Sequence, residues 1–316
     1  MRPIIALLAA GLLCGCARQA AAAEKTFRCD TQPVRTAALT VATRLAGVPA
    51  LLRIPPQQDA PPIVLWHGFG PPASAAALLE ALPLDEVRAI KVYLDLPLFG
   101  ARAAAGGHAE LARRQTEDLA GLLFAPAVLG AAAELPAVRD ALTTGACLRP
   151  EESLALFGFS AGGAAVLYAL AERQVPLRAA VVVNASTGLE ASVHAWERAT
   201  RRTFPWSAGA RDIAARSDAL QRHAEIAAGD PPPALLIVHG AQDVVLGATT
   251  ARTLFQALLP DYRRAHQLGR LQWQLIPGMA HSWLDAAHLS AVRAATSGWL
   301  QHTAAWEAGL ADGVLR

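Results

Sequence analysis

The sequence predicts an α/β fold in which a mostly parallel sheet carries helices on both faces. Three observations lead there. Apolar runs of strand length alternate with segments of helical period along most of the chain. Several of the strand-like runs are apolar throughout instead of alternating, as strands covered on both faces should be. Glycine-rich turns close two of these runs, at 68–70 and 158–163.

The elements follow in chain order. LTVATRL (39–45) and PALLRI (49–54) read as an opening hairpin with Gly47 near its turn. PPIVLWHGFG (61–70) is a buried strand running into a glycine turn, and Ala73 to Leu82 is a helix. AIKVYLDLP (89–97) is a strand closed by Pro97, and helical patterns fill 109–124 and 131–142. Leu154 to Phe159 is a strand and Ala164 to Leu170 a helix. LRAAVVVNAS (177–186), PALLIVHGAQD (233–243) and LQWQLIPGMAH (271–281) are further strands with their exits. Gly247 to Leu259 and Trp283 to His302 are helices. The alternation breaks between Ser186 and Asp230, a stretch too long for an ordinary connection and rich in arginine with Trp196, Trp206 and Phe204. It reads either as a helical cap inserted over the site (186–230) or as outer helices with aromatic anchors.

Composition bounds the function. The chain has 316 residues, 53% of them hydrophobic and 17% charged, enough for one sizeable core. The net charge of +2 comes without a dense basic run or an interleaved aromatic platform, so nucleic acid is not an expected partner. Neither Cys-x-x-Cys nor a helical His-x-x-x-His pair is present, and GGHAE (106–110) lacks the Lys-Ser/Thr of a phosphate cradle. No metal and no cofactor are expected.

Chemistry in such a sheet collects at the carboxyl ends of the strands. The polar residues there are His67, Asp95, Ser160, Asn184, His239, Asp243 and His281. Ser160 sits in Gly-x-Ser-x-Gly between a strand and a helix, where a sharp turn forces the serine outward and small neighbours let the backbones pass. A serine nucleophile needs a base, and the base needs an orienting acid. His281 follows the last strand across Pro277-Gly278-Met279-Ala280, and Asp243 follows the strand before it. The other strand-end residues have plainer readings. His67 and His239 are structural, Asp95 caps a turn, and Asn184 shapes a loop or touches substrate. Trp283 lines a pocket or packs the last helix.

With HGFG (67–70), GFSAGG (158–163), HGAQDVV (239–245) and GMAHSW (278–283) in this order, residues 38–302 resemble the α/β-hydrolase superfamily. The likeness is greatest to its dienelactone-hydrolase and prolyl-oligopeptidase-like branches and their esterase relatives. The resemblance implies Ser160 as nucleophile, His281 as general base and Asp243 as its orienting acid, cleaving carboxylic esters through an acyl-enzyme. It also implies two backbone donors for the oxyanion: Ala161 N–H, and Phe69 N–H or its immediate neighbour, because His-Gly-Phe-Gly stands where His-Gly-Gly-Gly is common. The stretch before residue 38 is too short for the propeller of a prolyl oligopeptidase, so that kind of peptidase is not expected. A lipase, polyester depolymerase or peptidase of the same fold, or an inactive binding domain at the envelope, are the alternatives.

Residues 1–23 read as a targeting segment and tether before a domain spanning 24–316. Arg2 precedes the short apolar stretch Ile4–Leu13. LLCGC (12–16) resembles a bacterial lipobox with Cys16 as the lipidated residue, which would anchor the protein to a membrane in the cell envelope. Cleavage within the alanine run before Glu24, followed by secretion, is the other reading. Either route leaves Cys29 and Cys147 in an oxidising compartment, and they are expected to form a disulfide.

Overall fold

A computed structural model describes residues 27–30, 36–307 and 309. Cys16 and the rest of the targeting segment lie outside the described residues.

Eight strands form one sheet: β1 (Leu39–Leu45), β2 (Val48–Ile54), β3 (Ala60–Trp66), β4 (Ala89–Leu94), β5 (Leu154–Phe159), β6 (Leu177–Val183), β7 (Ala234–Gly240) and β8 (Leu271–Ile276). Their order is β1-β2-β4-β3-β5-β6-β7-β8. The β1–β2 and β2–β4 pairs are antiparallel, and every pair from β4 onward is parallel. This is the α/β-hydrolase architecture expected from the sequence.

The central strands bury side chains on both faces, which is why they read as unbroken apolar runs. Leu154 and Leu156 of β5 enter one core, while Ala155, Phe157 and Phe159 enter the other. Helices α1 (Ala75–Ala81) and α10 (Ala286–Glu307) cover the second face through Leu78, Val292, Trp299 and Leu300. The first face is covered by α5 (Ala161–Glu172), α9 (Ala248–Arg264) and the long helical stretch between β4 and β5.

That stretch differs from the sequence expectation. In place of two helices separated by a break, α2 (Gly107–Asp118) runs into a π-helical segment over Leu119–Leu129, followed by α3 (Gly130–Ala133) and α4 (Leu135–Thr144). Pro126 cannot donate to a helical carbonyl, and the wider i→i+5 turn absorbs it, with Gly130 N–H donating to Ala125 O. Leu123, Phe124 and Val128 of this segment are buried core residues.

Strands also end earlier than their apolar runs. β4 stops at Leu94 because Asp95 and Leu96 turn to satisfy side-chain and backbone partners outside the ladder. β6 stops at Val183 because Asn184 adopts a left-handed conformation, φ 44°.

The 186–230 insertion contains α6 (Leu189–Thr200), α7 (Ala208–Ser217) and α8 (His223–Ile226). Its aromatic residues Trp196 and Phe204 are buried in the first core, where they meet edge to face, and α7 and α8 pack on α5. Arg198 reaches the carbonyl of Val245, beside the loop that carries Asp243. At the other end of the domain, Cys29 Sγ and Cys147 Sγ are bonded at 2.02 Å. The bond joins the N-terminal segment to the loop before β5, and Cys29 N–H donates to Gly145 O alongside it.

Candidate active site

Ser160 stands between β5 and α5 with φ 53° and ψ −115°. That backbone is costly for any residue but glycine, and here surrounding backbone enforces it. A Cβ on Gly158 would overlap the carbonyl of Gly162, and one on Gly162 would overlap the carbonyls of Trp66 and His67. The glycines of the motif are therefore steric necessities: strand, elbow and helix cross too closely for side chains. Ser160 N–H donates to Val183 O, and its carbonyl accepts from Ala164 N–H and Ser186 N–H, so the elbow is fully tied down.

Three side chains meet at the carboxyl ends of β5, β7 and β8. His281 Nε2 lies 3.1 Å from Ser160 Oγ, and His281 Nδ1 lies 2.8 Å from Asp243 Oδ2. The Asp243 carboxylate is buried, and its Oδ1 accepts from Val245 N–H at 2.8 Å and Leu246 N–H at 3.0 Å. His239 Nε2 also approaches Oδ2, to 3.1 Å. Burial opposes ionisation of Asp243. The imidazoles of His239 and His281, with the N–H of Leu246, outweigh it and hold the carboxyl far below the ordinary carboxylate range. The acid is thus an anion wherever the domain is folded at neutral pH. It presents one oxygen to His281, which fixes the proton on Nδ1 and leaves Nε2 free to accept from the serine hydroxyl.

Two backbone donors face the same region. Ala161 N–H, in the first turn of α5, makes no hydrogen bond among the described residues, and the same holds for Phe69 N–H. Gly68 N–H is engaged with Pro72 O at 3.4 Å, which takes that neighbour out and leaves the N–H groups of Phe69 and Gly70 in this turn. A Cβ on Gly68 would lie 2.9 Å from Ser160 Cβ, which measures how closely this turn passes the serine.

The remaining strand-end residues resolve individually. His67 is buried; its Nδ1 donates to Gly68 O at 2.7 Å and its Nε2 accepts from Leu96 N–H at 3.1 Å. Asp95 accepts from Ala75 N–H at 2.6 Å and from Ala101 N–H at 2.8 Å. Asp230 precedes β7 and so lies at the opposite edge of the sheet. Trp283 is fully buried and packs edge to face on Phe159, in the core under α10.

Asn184 takes a larger part than its sequence position suggests. Fully buried, it donates from Nδ2 to Ala280 O and to His281 O, both at 2.9 Å, and accepts from Gly240 N–H at 2.7 Å. One amide therefore fastens the backbone of His281 to the end of the strand that leads to Asp243. Sequence reasoning recognised a loop-forming amide here but not which loops. The only available signal was an asparagine at a strand end, a residue type that tolerates positive φ.

No curated protein matches this sequence. Solved structures share the fold at low identity. TT1662 from Thermus thermophilus is 22% identical with a TM-score of 0.58, over 84% of this chain and 98% of that one. A puromycin-hydrolyzing peptidase from Mycobacterium tuberculosis is 19% identical with a TM-score of 0.58, over 87% of this chain but only 42% of that one. Carboxyl esterase 2 from Tuber melanosporum is 18% identical with a TM-score of 0.50, over 90% of each chain. The sequence profile of the prolyl oligopeptidase family matches residues 132–306, which contain the serine elbow, the Asp243 loop and the His281 loop. The chain therefore belongs to the prolyl oligopeptidase family, serine hydrolases of the α/β-hydrolase superfamily.

Proposed function

We propose that the protein hydrolyses carboxylic esters through an acyl-enzyme on Ser160. The supporting observation is the hydrogen-bonded line from Ser160 Oγ through His281 to the buried Asp243, beside two unengaged backbone N–H groups. In this reading Ser160 Oγ attacks the ester carbonyl while its proton passes to His281 Nε2. The developing imidazolium is stabilised by the Asp243 anion. Phe69 N–H and Ala161 N–H hold the tetrahedral oxyanion, each worth roughly 3–4 kcal/mol in the transition state. Collapse expels the alcohol, which takes the proton from His281. Water, activated by the same imidazole, then releases the acid and restores Ser160. An exported protein, lipid-anchored at Cys16 or secreted, belongs to the same proposal, and the Cys29–Cys147 bond suits the oxidising compartment it implies.

The family match favours a second reading, cleavage of a peptide or aminoacyl amide by the same residues. The two are separated by offering p-nitrophenyl butyrate and aminoacyl p-nitroanilides to one preparation. We expect ester turnover to dominate, a fluorophosphonate probe to label Ser160, and Ser160→Ala to abolish both labelling and turnover while the far-UV circular dichroism is unchanged. Labelling at Ser186 or Ser282 instead, or turnover surviving in Ser160→Ala, refutes the assignment.

A further inference from the structure

The residues assigned to bond cleavage do not specify the acid released. An adjoining cavity of about 820 Å³ supplies that information. It is lined by Phe69, Leu98, Phe99, Leu111, Leu284 and Leu289, among others. These belong to the segments that follow β3, β4 and β8, so the cavity opens at the same edge of the sheet as Ser160 and His281.

Phe69 links the two. Its N–H is unengaged among the described residues, while its ring stacks in parallel on Phe99 at 5.0 Å and forms a flat aromatic wall. Ser160, Ala161 and His281 are not among the lining residues. Phe69 is the residue that the cavity wall shares with the oxyanion donors. In the ester reading the carbonyl oxygen sits at these donors and the leaving alcohol at His281 Nε2, so the Phe69 wall is offered to the acyl half bonded to that carbonyl, with Leu284 and Leu289 of the segment after His281 completing the lining.

The walls are built in advance. Buried Asp95 accepts from Ala75 N–H with one oxygen and from Ala101 N–H with the other, which ties the start of α1 to the loop after β4 on two sides of the cavity. Burial disfavours the Asp95 anion, but His67 and these two N–H groups outweigh burial and lower its pKa. Leu98 in the same loop holds φ 77°, a left-handed conformation that a packed loop has to impose.

Charge completes the selection. The titratable side chains among the lining residues are Glu80 and His108, both exposed, and no lysine or arginine lines the wall. A carboxylate carried into the cavity would lose water without meeting a cation. Leu284, 38% exposed at the wall, gains by being covered with apolar surface. The volume lies within the range of cavities that enclose whole small-molecule ligands, far more than an acetyl group needs.

We infer that this cavity is the acyl pocket, and that the physiological substrates are esters of bulky, uncharged apolar acids, aromatic or medium-chain. The inference rests on the ester-hydrolase reading of Ser160. The test measures kcat/KM for p-nitrophenyl acetate, octanoate, benzoate and hemisuccinate, with octyl acetate against ethyl octanoate to separate the two halves of the ester. The wild type should prefer octanoate and benzoate to acetate and discriminate against hemisuccinate. Ala103→Trp and Leu111→Trp, which fill the cavity from two sides, should each lower the octanoate-to-acetate ratio at least about tenfold. Ala77→Arg should raise the hemisuccinate-to-octanoate ratio by a similar factor. If both filling variants hydrolyse esters with the wild-type ratio, or if selectivity follows the alcohol chain, the pocket assignment is overturned while the ester reading stands. A wild type that hydrolyses none of these esters yet cleaves aminoacyl amides overturns both.

Discussion

Replacing Asn184 tests whether one buried amide holds the site together. Asn184→Ala removes three hydrogen bonds, leaving Gly240 N–H and the carbonyls of Ala280 and His281 without their partner in a fully buried setting. An unsatisfied buried group costs about 1–3 kcal/mol, so with partial relaxation the loss should come to roughly 3–6 kcal/mol. Alanine also tolerates φ 44° less well than asparagine, which adds about 1 kcal/mol. Asn184→Gly relieves that backbone cost but loses the same bonds, so it should be more stable than the alanine variant by about that amount. The amide's own orientation is fixed by its neighbours, since Oδ1 faces an N–H and Nδ2 faces two carbonyls. The consequence for turnover comes through the His281 backbone. Once released, the imidazole no longer stays on the line between Ser160 and Asp243, and misplacement of this kind costs on the order of 10²-fold. Urea denaturation reads the first effect, and kcat against KM for p-nitrophenyl butyrate reads the second. We expect kcat to fall far more than KM rises. A variant that loses stability but keeps kcat would show that the amide serves the fold alone. One that loses neither would refute the hydrogen-bond argument.

Three further outcomes follow. Asp243→Asn should keep the fold but lower kcat on the order of 10⁴-fold, as loss of the orienting acid does in other triads; near wild-type turnover, with Asp95→Asn inactive, would reassign the acid. Asp243 titrates below the ordinary carboxylate range, so its contribution to stability is present above that range and is lost as pH falls through its folded-state value. Acid unfolding of the asparagine variant should accordingly be the shallower. Lys91→Met should raise stability at pH 7. The lysine is fully buried with Nζ donating to Val87 O at 2.9 Å, and burial pushes its pKa down to about 8. Its folded-state pKa lies below the unfolded one, so the penalty for holding the charge is complete below about pH 8 and is relieved as pH rises toward 10.5, amounting to at most about 3 kcal/mol. Wild-type stability should thus rise across that interval while the methionine variant stays flat, as urea titrations at pH 7 and pH 10 would show. Finally, a Cys29→Ser, Cys147→Ala double variant should lose up to about 5 kcal/mol in the chain-entropy account, because the bond closes 118 residues; unchanged thermal unfolding would refute it.

The sheet was legible because a two-face core leaves a one-dimensional mark: 154–159, 179–183 and 234–238 are unbroken apolar runs. The serine elbow was legible for a related reason. Close backbone crossing demands glycine at Gly158 and Gly162, and such demands are written locally. Asp243 and His281 could be read because each follows a strand in a fixed order. What could not be read depends on distant meetings. The partners of Asn184 lie 56, 96 and 97 residues away. The cavity beside Phe69 is assembled from segments after three different strands. The π-helical turn at Leu119–Leu129 was missed because a proline in an apolar run signals a break unless tertiary packing absorbs it.

Among the described residues, Asp95 with His67 and Asp243 with His281 both pair a buried aspartate with a histidine at strand ends, and comparing them explains why the second is suited to proton transfer. Asp95 and His67 approach to 3.6 Å, and Asp243 and His281 to 2.8 Å. Both carboxylates are buried and both are held as anions by their surroundings. In the first pair, however, the imidazole is consumed on both sides: Nδ1 donates to Gly68 O and Nε2 accepts from Leu96 N–H. A proton taken up at Nε2 would break the Leu96 bond in a fully buried setting, and among the described residues no hydroxyl is hydrogen-bonded to His67. The Asp95 oxygens are likewise committed to backbone, so this pair can fix loops and nothing more. In the second pair Asp243 meets its backbone donors with one oxygen and turns the other to the imidazoles of His281 and His239. His281, with 19% of its side chain exposed, offers Nε2 to Ser160 Oγ. Similar residue types at equivalent ends of neighbouring parallel strands are thus separated by where the second ring nitrogen points: into backbone for His67, and toward a hydroxyl at a strained elbow for His281. The saturated pair ties loops at the wall of the cavity, and the unsaturated one faces the Ser160 hydroxyl.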